Sequence, residues 1–215
     1  MKKILLGVAF AALTSISAYA TSACSTFIGQ DVTTIGSCTV GPLTFSNFVV
    51  TNAGGGSSTP LIDLAGVYGP SAGPEPPAGA YGLNFNPNLG GANSLTDLHF
   101  TFQVTGGENS AFLFNGGTTN TQIQERICSG GVTQSGFCTG SQLGSDLVAA
   151  GGQTASTIFP LTTTIYVWKD INITNTSTDH LSSFDQAFTT PEPMTMSLMG
   201  VGLLGLGLLR RKIRK

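Results

Sequence analysis

The chain has 215 residues, of which 9% are charged, and a formal net charge of -2. That near-balance hides a segregation: Lys2, Lys3, Arg210, Arg211, Lys212, Arg214 and Lys215 sit at the two ends, while residues 21 to 190 hold only Arg126 and Lys169 against ten Asp and Glu, leaving the middle at -8. A body this acidic cannot release counterions from phosphates, which excludes nucleic acid as a partner, and its polarity in Ser, Thr, Asn, Gln and Gly suits a secreted β protein.

In chain order, Met1-Lys2-Lys3 is a short basic region, Ile4 to Leu13 an apolar run, and Ala18-Tyr19-Ala20 places small residues at -3 and -1 of a cleavage site. This is the layout of a secretory signal helix over residues 1 to 20, with Ala18 and Ala20 as the cleavage residues. A run of ten residues rises only about 15 Å against a ~30 Å hydrocarbon core, too short for a permanent anchor. Cys24 follows soon after and invites a lipoprotein reading, but the Leu usual at -3 is missing and acylation would orphan Cys38.

Residues 21 to 190 read as one β-rich domain. Leu43 to Val50 is a weak strand candidate. Residues 97 to 105 alternate cleanly, with Leu98, Phe100, Phe102 and Val104 on one face and Asp97, His99, Thr101 and Gln103 on the other, as a half-buried strand requires. Ala111 to Phe114 is a further short candidate, and Ile123 to Ile127 a strand leading into Cys128. Leu161, Ile165, Val167, Ile171 and Ile173 alternate over a longer stretch that Lys169 interrupts, which predicts a bulge or break there. Between these runs lie Gly-Gly pairs at 90, 106, 116 and 151 and a proline-rich stretch from Gly69 to Gly79. Short strands with glycine-rich turns predict an all-β antiparallel sandwich or jelly-roll-like body.

The four cysteines form two local pairs, Cys24 with Cys38 and Cys128 with Cys138, read as two hairpin-like loops each closed by a disulfide in an oxidising compartment. Loop entropy makes each closure worth ~3 kcal/mol. Neither pair has the C-x(2-4)-C spacing of a zinc site, so no metal is expected.

No catalytic motif accompanies the only two histidines: neither a G-x-S-x-G elbow nor an H-E-x-x-H helix is present, and both His99 and His180 read as surface residues. Asn84-Phe85-Asn86-Pro87-Asn88 has the alternate spacing of a calcium loop, but its amides are neutral and a closing Glu is missing, so it reads as a turn. Tyr166 and Trp168 project to the face opposite Ile165 and Val167. There they either stack on sugar rings or pack beneath a second sheet or covering loop. No cofactor and no enzymatic activity are expected.

At the C-terminus, Pro191-Glu192-Pro193 precedes sixteen uncharged residues, Met194 to Leu209, and then the cluster Arg210, Arg211, Lys212, Arg214 and Lys215. As a helix the apolar run spans about 24 Å, enough to cross a thinned bilayer with snorkelling bases. The basic cluster acts as a stop-transfer signal and stays cytoplasmic, leaving Pro191 outside. Prolines 191 and 193 keep the segment extended for a protease. A second Pro-Glu-Pro at residues 74 to 76 lacks both helix and bases. The G-x-G-x-x-G spacing from Gly200 has neither a preceding strand nor an acidic ribose partner.

With the signal peptide at the far end, residues 191 to 215 resemble the sorting signal of PEP-CTERM exported proteins of Gram-negative bacteria. Residues Cys24 to Phe48 are also similar to the N-terminal pattern of many such bodies. The resemblance implies recognition by an exosortase after passage through the secretion machinery. The precursor would be held in the inner membrane, cleaved near Pro191 to Pro193, and delivered to the cell surface or extracellular matrix, often alongside exopolysaccharide. The body is then expected to be structural, adhesive or exopolysaccharide-associated. The rival is a carbohydrate-active hydrolase or glycan-binding module on the same tail: a hydrolase needs two acids, or a histidine and an acid, converging in one cleft, and a binding module needs exposed Tyr166 and Trp168. Mature protein recovered from its native host should end near Pro191 when the exosortase is present. Terminal-peptide mass spectrometry that finds Lys215 retained would refute the processing.

Overall fold

The computed structural model describes residues 21–54, 61–69, 79–87, 89–90, 97–174 and 178–190. The signal segment with Ala18 and Ala20, and the tail with Pro191, Glu192, Pro193 and the basic cluster, lie outside the described residues. So do the two helices expected there. Among the described residues no helix is long and apolar enough to cross a membrane.

Two short 3-10 turns, Cys24–Phe27 and Val32–Thr34, precede eleven described strands: β1 Ser37–Val40, β2 Leu43–Asn52, β3 Asp63–Tyr68, β4 Ala80–Asn86, β5 Leu89–Gly90, β6 Asp97–Asn115, β7 Thr121–Cys128, β8 Leu147–Ala150, β9 Gln153–Ile173, β10 His180–Leu181 and β11 Phe184–Thr189. All pairings between them are antiparallel. Nine strands form one sheet in the order β3-β4-β11-β6-β9-β7-β8, with β2 also on β6 and β1 on β2, while β5 and β10 pair separately.

The all-β expectation holds, and the sandwich arises by folding this one sheet on itself. β6 is 19 residues long and β9 is 21, and they pair along nearly their whole length. On its other edge β6 pairs with β2 through Leu98 to Thr105, then with β11 through Ser110 to Asn115. The first half of β6 therefore belongs to a layer with β1, β2, β7 and β8, and the second half to a layer with β3, β4 and β11.

The hinge is the Gly106-Gly107 pair, expected to end a strand. Instead the strand runs through it, with the β6–β9 register slipping between Thr105 and Glu108 and again before Ser110. The slip changes which residues face inward, from Leu98, Phe100, Phe102 and Val104 to Ala111, Leu113 and Asn115. Glycine is required on both counts: a Cβ on Gly106 would lie 2.7 Å from the Pro42 carbonyl oxygen, and Gly107 has φ +87. The short candidate at Ala111 to Phe114 is thus a continuation of β6.

Rings from both layers meet in the middle. Phe85 of β4 lies edge-on to Phe100 of β6 at 5.1 Å between centroids, and stacks on its neighbour Phe184 at 5.0 Å. Phe45 of β2 meets Phe188 of β11 at 6.3 Å. A second tie is polar: Asn115 donates to the Ala149 carbonyl of β8 across 2.9 Å.

Lys169 produces no bulge. The β6–β9 register is unbroken from Asp97 to Thr105, and Lys169 stays on the inward face with Ile165, Val167, Ile171 and Ile173, fully buried. Its charge is tolerated because Glu125, directly opposite on β7, is equally buried and forms an ion pair with it. β4 also extends past the turn expected at Asn84, ending at Asn86. Both disulfides form as expected. The Cys24–Cys38 loop, however, is built from the two 3-10 turns rather than a hairpin.

Glu108, at the hinge, is fully buried and neither carboxylate oxygen has a hydrogen-bond partner. Burial pushes its carboxyl up to about 8. An acid whose folded value is raised holds its proton in the native state after the unfolded chain has lost it, so stability falls as pH rises towards the raised value. The thermal midpoint should therefore drop between about pH 5 and pH 8 and level off above that. Glu108→Gln should flatten that drop and melt at least ~5 °C higher at pH 9 by calorimetry.

Candidate functional site

The outer face of the first layer collects the polar side chains of β6 and the even-numbered residues of β9. Three pairs stand directly opposite one another: Gln103 with Tyr166, Thr101 with Trp168, and His99 with Asp170. The polar face of residues 97 to 105 is thus where alternation placed it. The partners that β9 brings depend on register.

Trp168 is not an exposed platform, since it is only 6% accessible. The loop closed by Cys128 and Cys138 lies over it, and the covering-loop alternative holds for this residue. The Trp168 indole Nε1 donates to the Gln134 carbonyl at 2.9 Å. A Cβ on Gly136 would come within 2.8 Å of the indole ring, so a glycine is needed for the loop to lie this close. Arg126, opposite Trp168 on β7, fastens the loop: it donates through Nε and Nη2 to the Asp146 carboxylate at 2.9 and 2.7 Å and through Nη1 to the Gly136 carbonyl at 2.8 Å. The Arg126 guanidinium holds the Asp146 carboxyl below its ordinary value.

Beside this loop an open cleft of about 250 Å³ remains, lined by Asn47, Thr101, Gln103, Gln134 and Tyr166 with Val49 and Val132. Tyr166 is half-buried and presents its ring there. Asn47 sits at the bulge of β2 with φ 55, a left-handed conformation that asparagine tolerates better than most residues. From there its amide nitrogen donates to Gln103 Oε1 at 2.7 Å. Gln134 in turn accepts from Thr51 Oγ1 at 3.1 Å. None of the lining side chains is charged, so the cleft offers amide donors and acceptors around one aromatic face.

Further along the same face, Asp97, His99 and Asp170 bring one ligand atom each to within 4.8 Å of the others. Among the described residues this is the group of acids and imidazole that could hold a metal ion. Asp97 Oδ1 and Asp170 Oδ1 are both shut off from solvent. Burial, and then the Asp170 carboxylate, raise the Asp97 carboxyl to about 6. His99 also packs its ring 5.3 Å from Trp168. Two acids and a histidine therefore do converge, but on the strand face next to the cleft and not among its lining. His180 is exposed on β10 and takes no part.

Sequence reasoning missed Asn47, Gln134 and Asp170. Asn47 and Gln134 carried no periodic signal, and Asp170 joins His99 only through pairing across β6 and β9.

Comparison with known proteins bears chiefly on the tail. Residues 189–212 match the PEP-CTERM protein-sorting motif. The chain therefore carries this sorting motif at its C-terminal end, and the motif implies in general export as a membrane-anchored precursor that an exosortase processes. No curated protein matches the chain. Among solved structures, TmCBM61 in complex with beta-1,4-galactotriose aligns at 14% identity and a TM-score of 0.31, over 66% of this chain and 85% of that one; no ligand is carried over from it.

Replacing Cys128 and Cys138 together by Ser should loosen the loop over Trp168, the sole tryptophan of the chain. Its fluorescence emission should shift to the red and become more open to acrylamide quenching. Unchanged emission would mean that the Arg126–Asp146 pair holds the loop without the disulfide.

Proposed function

We propose that the body is a non-enzymatic surface or matrix protein that binds a neutral glycan in the outer-face cleft, and that the exosortase-processed tail delivers it there. The observation that carries this reading is the half-exposed Tyr166 ring among Asn47, Gln103 and Gln134 in a cleft lined by no charge. A sugar ring has an apolar face that stacks on an aromatic ring and a rim of hydroxyls that pair with amides. Neutral saccharides are favoured over acidic ones because the body carries eight net negative charges from residues 21 to 190.

The hydrolytic rival draws on Asp97, His99 and Asp170. Their donor atoms lie within 4.8 Å, whereas carboxyl pairs that cleave glycosides stand ~5–5.5 Å apart when retaining and about 6.5–9.5 Å when inverting. That spacing, and the position outside the cleft, favour binding over hydrolysis.

The test is equilibrium binding of the processed protein to the exopolysaccharide of its host and to neutral and acidic oligosaccharides, with release of reducing ends followed in parallel. Neutral saccharides should bind, and Tyr166→Ala should weaken binding at least ~10-fold while leaving the thermal midpoint nearly unchanged. Binding untouched by that substitution, or restricted to acidic sugars, would refute the reading. New reducing ends would favour the hydrolase.

A further inference from the structure

Lys169, Glu125 and Gln186 are each fully buried in the middle of the sandwich. They come from three strands and both layers: β9 and β7 in the first, β11 in the second. The Lys169 Nζ donates to Glu125 Oε2 and to Gln186 Oε1, and Gln186 Nε2 donates to Glu125 Oε1 at 3.3 Å. The three groups close a triangle, and the Phe184 ring lies 5.3 Å from Nζ. Burial lowers the Lys169 amine from its ordinary value and raises the Glu125 carboxyl, so a proton passes from Nζ to the carboxylate at less cost here than in water.

An amine in contact with an amide, with one carboxyl touching both the attacking and the departing nitrogen, is a constellation for acyl transfer. We propose that Lys169 and Gln186 join in an intramolecular amide bond, with Glu125 as the proton carrier. The pair first neutralises as a proton passes from Nζ to Glu125 Oε2. The Nζ lone pair then attacks Gln186 Cδ, and a C–N bond forms as the carbonyl electrons move to Oε1. Glu125 gives its proton to Nε2 and takes one from Nζ. The carbonyl re-forms, the Cδ–Nε2 bond breaks, and Nε2 leaves as ammonia. No oxidant, cofactor or second molecule is consumed, and Glu125 ends as it was after the first proton transfer.

Such a bond ties β9 to β11 across the two layers. β11 ends at Thr189, where the sorting motif begins, so a pull on the C-terminal end of the body enters through this strand. With Gln186 bonded to Lys169, the strand cannot peel away without breaking a covalent link.

The experiment is intact-mass measurement of the exported protein, followed by trypsin digestion after reduction and denaturation. The mass should be about 17 Da below that of the disulfide-bonded chain, the loss of one ammonia. Trypsin should cut after Arg126 but not after Lys169, whose amine is acylated, and fragment spectra should join Lys169 to Gln186. Glu125→Gln should restore the full mass. A full-length mass for the unsubstituted protein, which requires no variant to fold, would overturn the proposal. So would a ~17 Da loss with Lys169 still cleaved, since an asparagine succinimide accounts for that loss equally well.

Discussion

The long antiparallel pairing of β6 with β9 is the constraint from which the rest of the architecture follows. One edge of β6 must serve β2 in its first half and β11 in its second, and those partners belong to opposite layers. This is possible only because the strand bends and slips register between Thr105 and Ser110. A side chain at Gly106 would collide with the backbone before β2, so the cost would fall on the crossing of the layers, not on one turn. The core of phenylalanine rings is a consequence of that crossing, since Phe100 and Phe102 meet Phe85 only when the two halves face each other.

Period-two alternation made the strand type and the inward face of β6 legible: Leu98, Phe100, Phe102 and Val104 are all buried as it requires. The cysteine pairs were legible from their local spacing. What alternation could not show was the path at Gly106-Gly107. Paired glycines mark a turn as readily as a bulge, and only the partners on the far edge decide between them. Lys169 was misread for a related reason. A lysine in an apolar stripe argues for a break unless an acid stands opposite, and Glu125 lies 44 residues earlier in a strand whose register is not written locally. The cleft was half legible. Gln103 and Tyr166 were placed on the outer face, but the loop that covers Trp168 and leaves Tyr166 open depends on Arg126 reaching Asp146 and Gly136.

The charge distribution takes on a different meaning with the fold in view. Both bases of the body are committed to internal ties, Lys169 to Glu125 between the layers and Arg126 to Asp146 under the loop. The remaining acids are unbalanced by any base of residues 21 to 190. Some of them, Glu108 and the neighbouring Asp97 and Asp170, are held where water does not solvate them fully. Such groups lower stability at neutral pH. Their partial burial is borne by the phenylalanine core and the two disulfides.

The strand order also governs when the body can finish folding. β11 is the last of the described strands but sits between β4 and β6, inside its layer rather than at an edge. Until residues 184 to 189 have emerged, that layer lacks its central member, Phe184 and Phe188 are missing from the core, and no strand joins the β3–β4 pair to β6. The fold therefore cannot close behind a partly exported chain. It becomes complete only when the last residues before Pro191 are free to pair with β4 and β6.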